Sequence, residues 1–295
     1  MSGIQMRPEH RRRRGGFRWW ILVIFGLYAA WYWTSHQQES PFTGRAQLID
    51  STPAQEAALG LQAYRQVLSE SRVVNTGELP GQVREIARRL IAVGPQVEAG
   101  IAAARGVEPS IPWDAFDWDV NVIESDQANA FCMPGGKIAV YTGIVPIAQN
   151  QDALAAIMGH EIAHALLRHS AERMAQQKLV QLGAMATGVA VSDMDPQQQR
   201  ALMAVMGAGA QYGLLLPFSR DHESEADEVG LMLAAAACFD PREAIGLWQR
   251  MAQAGSGRAP PEFMSTHPSG STRIAHLTAL MPRALELRKA HCGAE

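Results

Sequence analysis

The pattern of apolar and polar positions divides the chain into zones. An uncharged apolar run extends from Trp19 to Trp33 (WWILVIFGLYAAWYW). As a helix its core spans about 22 Å, against a hydrocarbon thickness of about 30 Å. Extending to Phe17 and Ser35 gives 19 residues and about 28 Å, with Arg18 able to snorkel and aromatic residues gathered at both ends of an anchor assigned to 19–35. This pattern predicts a transmembrane anchor. Residues 36–52 are polar and read as a tether. Helical spacing follows over 53–71, where Ala57, Leu61, Tyr64 and Leu68 share a face, and again over 82–93 and 96–105. Residues 118–123 alternate in the β manner. The turn signal Pro134-Gly135-Gly136 leads to a second β-like run over 137–141. From residue 151 the pattern is helical: 151–177 as one amphipathic stretch, two small-residue segments over 179–191 and 201–216, then 220–238 capped by Ser219, 242–254 and 271–290. The segment 201–216 reads as a buried core helix rather than a membrane span.

This ordering describes a mostly helical α+β chain with a small sheet. Charge sharpens it. The formal net charge is −3 over 295 residues, but the first 33 residues hold six arginines and one glutamate. The remainder therefore carries −8. Positive charge before an apolar run keeps that end in the cytosol, so residues 1–18 are expected as a basic cytosolic stub. No small-residue cleavage site follows the run, which argues against a removed signal peptide. The basic cluster lies at the membrane and the body is acidic, which disfavours a nucleic-acid role. Three cysteines exclude a disulfide scaffold, although Cys238 and Cys292 could pair in an oxidising compartment.

The chemistry concentrates at His160-Glu161-Ile162-Ala163-His164. Residues four apart on a helix lie one above the other, so both imidazoles can reach one metal ion. Glu161 projects beside them, where it can hold a proton of attacking water. Gly159 leaves room beside the first histidine. A catalytic zinc site takes three protein ligands and keeps a fourth position open. His169 lies nine residues beyond His160, about 900° around a continuous helix, and is expected on the opposite face. Glu223 and Asp227 share a helix face further on. Glu223 is the candidate third ligand, and Asp227 can orient a ligand histidine through its free ring nitrogen. Glu225 lies about 200° from Glu223 and His222 points away from the metal face. Cys132 reads as a small buried apolar residue.

His160-Glu161-x-x-His164 followed by Glu223-x-x-x-Asp227 resembles peptidase family M48, zinc metallopeptidases that include heat-shock, prenyl-processing and envelope quality-control proteases. The likeness extends over about residues 45–290. It takes in Asn129-Ala130-Phe131 with Pro134-Gly135-Gly136-Lys137, the run Arg168–Arg173, and Thr266-His267-Pro268 with Arg273. The resemblance implies a zincin-like (gluzincin) domain over 53–295: a helical scaffold at 53–110, a sheet zone at 111–145 and a helical catalytic part at 151–295. It implies one Zn2+ per chain on His160, His164 and Glu223, with Glu161 as the catalytic base. It places His267 and Arg273 near the metal, either steadying the oxyanion or, for His267, filling the open position in a closed state. Asn129, Ala130 and Phe131 resemble the edge strand that pairs with extended substrate.

The expected activity is hydrolysis of peptide bonds in misfolded or unassembled envelope proteins by a single-pass bacterial inner-membrane enzyme with a periplasmic catalytic domain. An organelle inner membrane is the alternative address. The alternative function is an envelope chaperone or assembly factor with a latent protease site. Partners are unfolded polypeptides and, through the N-terminal helix, the lipid bilayer.

Overall fold

The computed structural model describes residues 17–210, 216–254, 262–267 and 271–293. The Arg11–Arg14 cluster, most of the 255–263 loop and Pro268 lie outside them. The chain divides into two compact units, residues 1–36 with 176–217, and residues 37–175 with 218–295.

In the first unit, α1 (Trp19–Ser35) is apolar along its whole length. Its 17 residues cover about 26 Å, and no helix among the described residues is long and apolar enough to cross a membrane. The expected transmembrane span is thus not confirmed, and the residues assigned to it form an apolar helix. Phe25 packs against the bare backbone of Gly183, and Arg18 donates to Asp193. Trp19, Trp20, Ile24, Leu27 and Trp31 remain exposed.

The second unit begins where a tether was expected. Residues 36–52 instead form a ribbon: β1 (Gln37–Glu39) pairs antiparallel with β2 (Ala46–Leu48). Phe42, Leu48 and Ile49 are fully buried, which the polar residues around them conceal in sequence. Next comes α2 (Pro53–Ser69), opened by a capping box between Thr52 and Gln55 with Pro53 in its first turn. β3 (Arg72–Val74), a strand the sequence pattern does not announce, leads to α3 (Glu78–Arg105). Two helices were expected here, with a break at Gly94-Pro95. The helix runs through, and the Trp113 ring lies where a side chain on residue 94 would stand.

β4 (Asp119–Glu124), β5 (Ala130–Met133) and β6 (Lys137–Tyr141) complete a sheet of order β3-β4-β6-β5. β4 runs parallel to β6, and the other pairs are antiparallel. β5 is an edge strand. Ala130 and Cys132 face inward, while Phe131 meets Tyr64 and Tyr141 on the opposite side. Tyr64 is fixed by donating to the Ile138 carbonyl at 3.0 Å.

After the short α4 (Val145–Ala148), α5 (Gln151–Leu166) starts at Asn150, whose side chain caps the Ala153 amide. The stretch expected as one helix breaks at Leu167–Arg168. Arg168 adopts a left-handed φ of 57°, and α6 (His169–Ala190) leaves in a new direction. Further on come α7 (Pro196–Ala210), α8 (Leu216–Ala236), α9 (Glu243–Ala254), α10 (Glu262–Thr266) and α11 (Ser271–Cys292). Ser219 lies inside α8 rather than capping it. Cys238 and Cys292 form a disulfide that ties the end of α11 to the exit of α8.

α5 and α8 cross at close range. A Cβ on Gly159 would sit 2.8 Å from the Gly230 carbonyl oxygen, and one on Gly230 would sit 2.7 Å from the His160 amide nitrogen. Gly230→Ala is expected to destabilise the protein by about 1–3 kcal/mol in thermal denaturation, although alanine is the better helix former. Gly100→Ala on α3, where no atom crowds the new methyl, is expected to be neutral or stabilising. The disulfide closes a loop across 54 positions, so its reduction is expected to cost up to about 4 kcal/mol, read as a lower Tm with reductant.

Candidate metal centre

The Gly159–Gly230 crossing brings a stripe of α8 against α5. Glu223, Asp227 and Gly230 are spaced by four and three residues, so they share one face. Contact at Gly230 therefore sets both carboxylates beside His160 and His164. All four side chains are buried. His267, at the end of α10, enters from another side.

Four groups converge. His160 Nε2 lies 3.0 Å from His164 Nε2 and 3.3 Å from Glu223 Oε2. His164 Nε2 lies 3.5 Å from Glu223 Oε1. His267 Nδ1 lies 3.3 Å from His160 Nε2 and 3.0 Å from Glu223 Oε1. A tetrahedral zinc with bonds near 2.0–2.1 Å has edges of about 3.4 Å between ligand atoms. The observed separations match those edges, and the donors are the nitrogen and oxygen types zinc takes. His160, His164, Glu223 and His267 are thus positioned to bind a metal.

Glu161 stands beside the cluster. It is buried, and its Oε1 has no hydrogen-bond partner, although His267 Nε2 is 3.3 Å away. Burial pushes its carboxyl above the usual range, opposed by the nearby His267 and His160. Such a carboxylate is poised to exchange a proton. Glu223 behaves oppositely. Burial raises it, but hydrogen bonds from His160 and His267 outweigh that and hold it far below the ordinary carboxylate range.

His160 and His164 each have a partner behind them. Asp227 Oδ1 lies 3.1 Å from His160 Nδ1. Arg273 grips Asp227 with two bonds of 2.6 Å, donates to Glu223 Oε2 at 2.9 Å, and lies 3.7 Å over the Trp248 ring. Arg273 also approaches His160 at 3.0 Å, but Asp227 is the group that can accept the Nδ1 proton. Behind His164 stands His169, at 2.8 Å between the two Nδ1 atoms. The expectation that His169 faces away is corrected: it assumed an unbroken helix, and the turn at Arg168 swings the ring back.

Sequence reasoning missed what surrounds His169. Glu225 accepts from His169 Nε2 at 3.1 Å, Arg45 bridges Glu172 and Glu225, and His222 donates to Glu172 at 2.9 Å. The charged run Arg168–Arg173 beside the histidine motif was the available signal. Arg45, in the expected tether, carried none. Asn129, Ala130 and Phe131 lie at the start of β5, and the Phe263 amide of α10 donates to the Ala128 carbonyl at 3.1 Å. The segment that carries His267 is thereby pinned beside that edge. Cys132 lies on the inner face of β5, outside the donor cluster.

Residues 97–281 match Peptidase family M48. The chain is 34% identical to the mitochondrial metalloendopeptidase OMA1 of Schizosaccharomyces pombe, over 94% of this chain and 75% of that protein. It is 30% identical to the Saccharomyces cerevisiae protein of the same name, over 92% of this chain and 76% of that one. The beta-barrel assembly-enhancing protease of Escherichia coli is 26% identical over 75% of this chain and 42% of its own length. The expected bacterial inner-membrane address with a periplasmic domain is corrected by these matches, because the relatives aligned over nine-tenths of the chain are mitochondrial. M48 peptidases are zinc-dependent, the four convergent donors fit that ion, and the chain belongs to Peptidase family M48 as a metalloendopeptidase.

Proposed function

We propose that the chain is a membrane-associated zinc endopeptidase that cleaves misfolded or unassembled polypeptides. The convergence of His160, His164 and Glu223 beside Glu161, whose Oε1 accepts no hydrogen bond, carries this reading. His160, His164 and Glu223 would hold the metal. When bound, zinc supplies a Lewis acid for water and for the scissile carbonyl. Glu161 takes the proton of the attacking water and passes it to the leaving amine. Asp227 and Arg273 keep His160 oriented. Arg273 also neutralises charge beside Glu223.

Specificity for unfolded chains is supported by β5, which has no strand on its outer side among the described residues and can pair with an extended backbone. Asn129, Ala130 and Phe131 would begin that pairing. Membrane association is supported by α1, whose exposed Trp19, Leu27 and Trp31 form an apolar face suited to a lipid surface.

A second reading, a protease held latent in a chaperone-like protein, is favoured by His267. Its Nδ1 occupies the fourth corner of the donor set, the position substrate needs. His267→Ala is expected to raise cleavage of casein if the residue closes the site. A fall would assign it to oxyanion stabilisation.

Glu161→Gln keeps the volume but removes the proton acceptor. It is expected to retain one zinc per chain by metal analysis and to lose casein cleavage by at least about a hundredfold. Full activity in the purified variant would remove the assignment.

A further inference from the structure

We propose that His169 is a positioning residue for the metal site, fixing the tautomer and orientation of His164 through a Glu225–His169–His164 hydrogen-bond chain. The proposal rests on the zinc-site reading above and adds a residue outside the donor cluster.

The geometry allows one proton arrangement that leaves His164 able to bind a metal. The Glu225 carboxylate only accepts, so His169 Nε2, 3.1 Å away, must donate. Neutral His169 then has a lone pair at Nδ1. His164 Nδ1, 2.8 Å from it, supplies the proton. That fixes the His164 proton on Nδ1 and leaves Nε2 bare toward His160 and Glu223. The reverse arrangement would protonate His164 Nε2 and abolish its ligand capacity. Orientation of a ligand imidazole usually falls to a carboxylate or carbonyl in direct contact. Here a second imidazole is interposed.

The chain is anchored at its far end. His169 and Glu225 are buried, and the His169 ring stacks on His222 at 4.2 Å between centroids. Glu225 also accepts from Thr43, and from Arg45 at 2.9 Å. Its carboxylate is therefore held in place from the β1–β2 ribbon. Loss of the His169 contact would leave Glu225 with these two partners, so a change at 169 need not strand a buried charge.

Two near-isosteric substitutions separate positioning from packing. Asparagine places its oxygen close to the position of Nδ1 and can still accept from His164, but it cannot reach Glu225. Glutamine places its amide close to Nε2 and can still donate to Glu225, but it leaves His164 Nδ1 without an acceptor. We expect His169→Gln to weaken zinc binding roughly 10- to 100-fold in chelator competition, and His169→Asn to stay within about threefold of wild type. The visible spectrum of the cobalt-substituted protein is expected to shift for glutamine and not for asparagine.

A residue that only packs and satisfies Glu225 predicts the opposite ranking. Wild-type zinc affinity in His169→Gln, or a loss in His169→Asn as large as in His169→Gln, overturns the proposal. Thermal melts of both metal-free variants establish that they fold. The wild-type titration in the same series tests the zinc site itself: stoichiometric binding there, with either of those outcomes, leaves the site standing and removes only the role of His169.

Discussion

The donor set depends first on the contact of two glycines. Gly159 and Gly230 let the backbones of α5 and α8 meet without side chains between them. The placement of Glu223 and Asp227 beside His160 and His164 follows from that approach. With an ordinary residue at either position the helices would stand apart, and Glu223 would withdraw from the two histidines. The three metal-facing groups on these helices have short side chains or a single rigid ring. They cannot compensate for a displaced backbone in the way a lysine could. Close backbone packing is thus a requirement of the donor set, whose nitrogen–oxygen separations already lie between 3.0 and 3.5 Å.

His160 and His164 are supported in different ways. His160 rests on Asp227, itself clamped by Arg273 from α11. The Cys238–Cys292 bond ties the far end of that helix to the exit of α8. His164 rests on His169, Glu225 and Arg45, and so on the ribbon that follows α1 in the chain. Groups from five separate stretches of sequence hold the centre. A buried network of this kind is costly when one member is missing and rigid when complete.

Legibility in the sequence tracked the range of the interaction. The spacing of His160, Glu161 and His164 was readable because it is a property of one helix, and so was the pairing of Glu223 with Asp227. The sheet zone was readable from alternation at 118–123 and 137–141. The turn at Arg168 was not, because an arginine carries no mark of a left-handed φ and its guanidinium is held by distant groups, Glu56 and Gln38. The β1–β2 ribbon was hidden for the same reason. Its polar residues, Arg45 and Gln47, look solvated until the partners Glu172 and Glu225 are known. Continuity of α3 through Pro95 depends on packing, including Trp113 against Gly94, that no local propensity reports.

The charge asymmetry changes meaning once burial is known. The body after residue 33 is acidic by eight charges. Among the described residues, Glu56, Glu98, Glu161, Glu172, Glu223, Glu225, Asp227 and Glu228 are buried, against only Lys137 and Arg273 among the lysines and arginines. Most of the excess is therefore interior. Exposed carboxylates would act as a long-range field, weakened by salt. Buried ones act at contact distance on histidines, arginines and backbone amides, where screening is slight. Glu98 accepts from the Ser110 and Ile111 amides and from the Trp113 indole, fixing the approach to the sheet. Asp227 meets His160, while Glu225 and Glu172 hold His169 and His222 behind His164. The acidity read along the chain is thus mainly internal wiring for a cation site, and only secondarily a statement about what the surface repels.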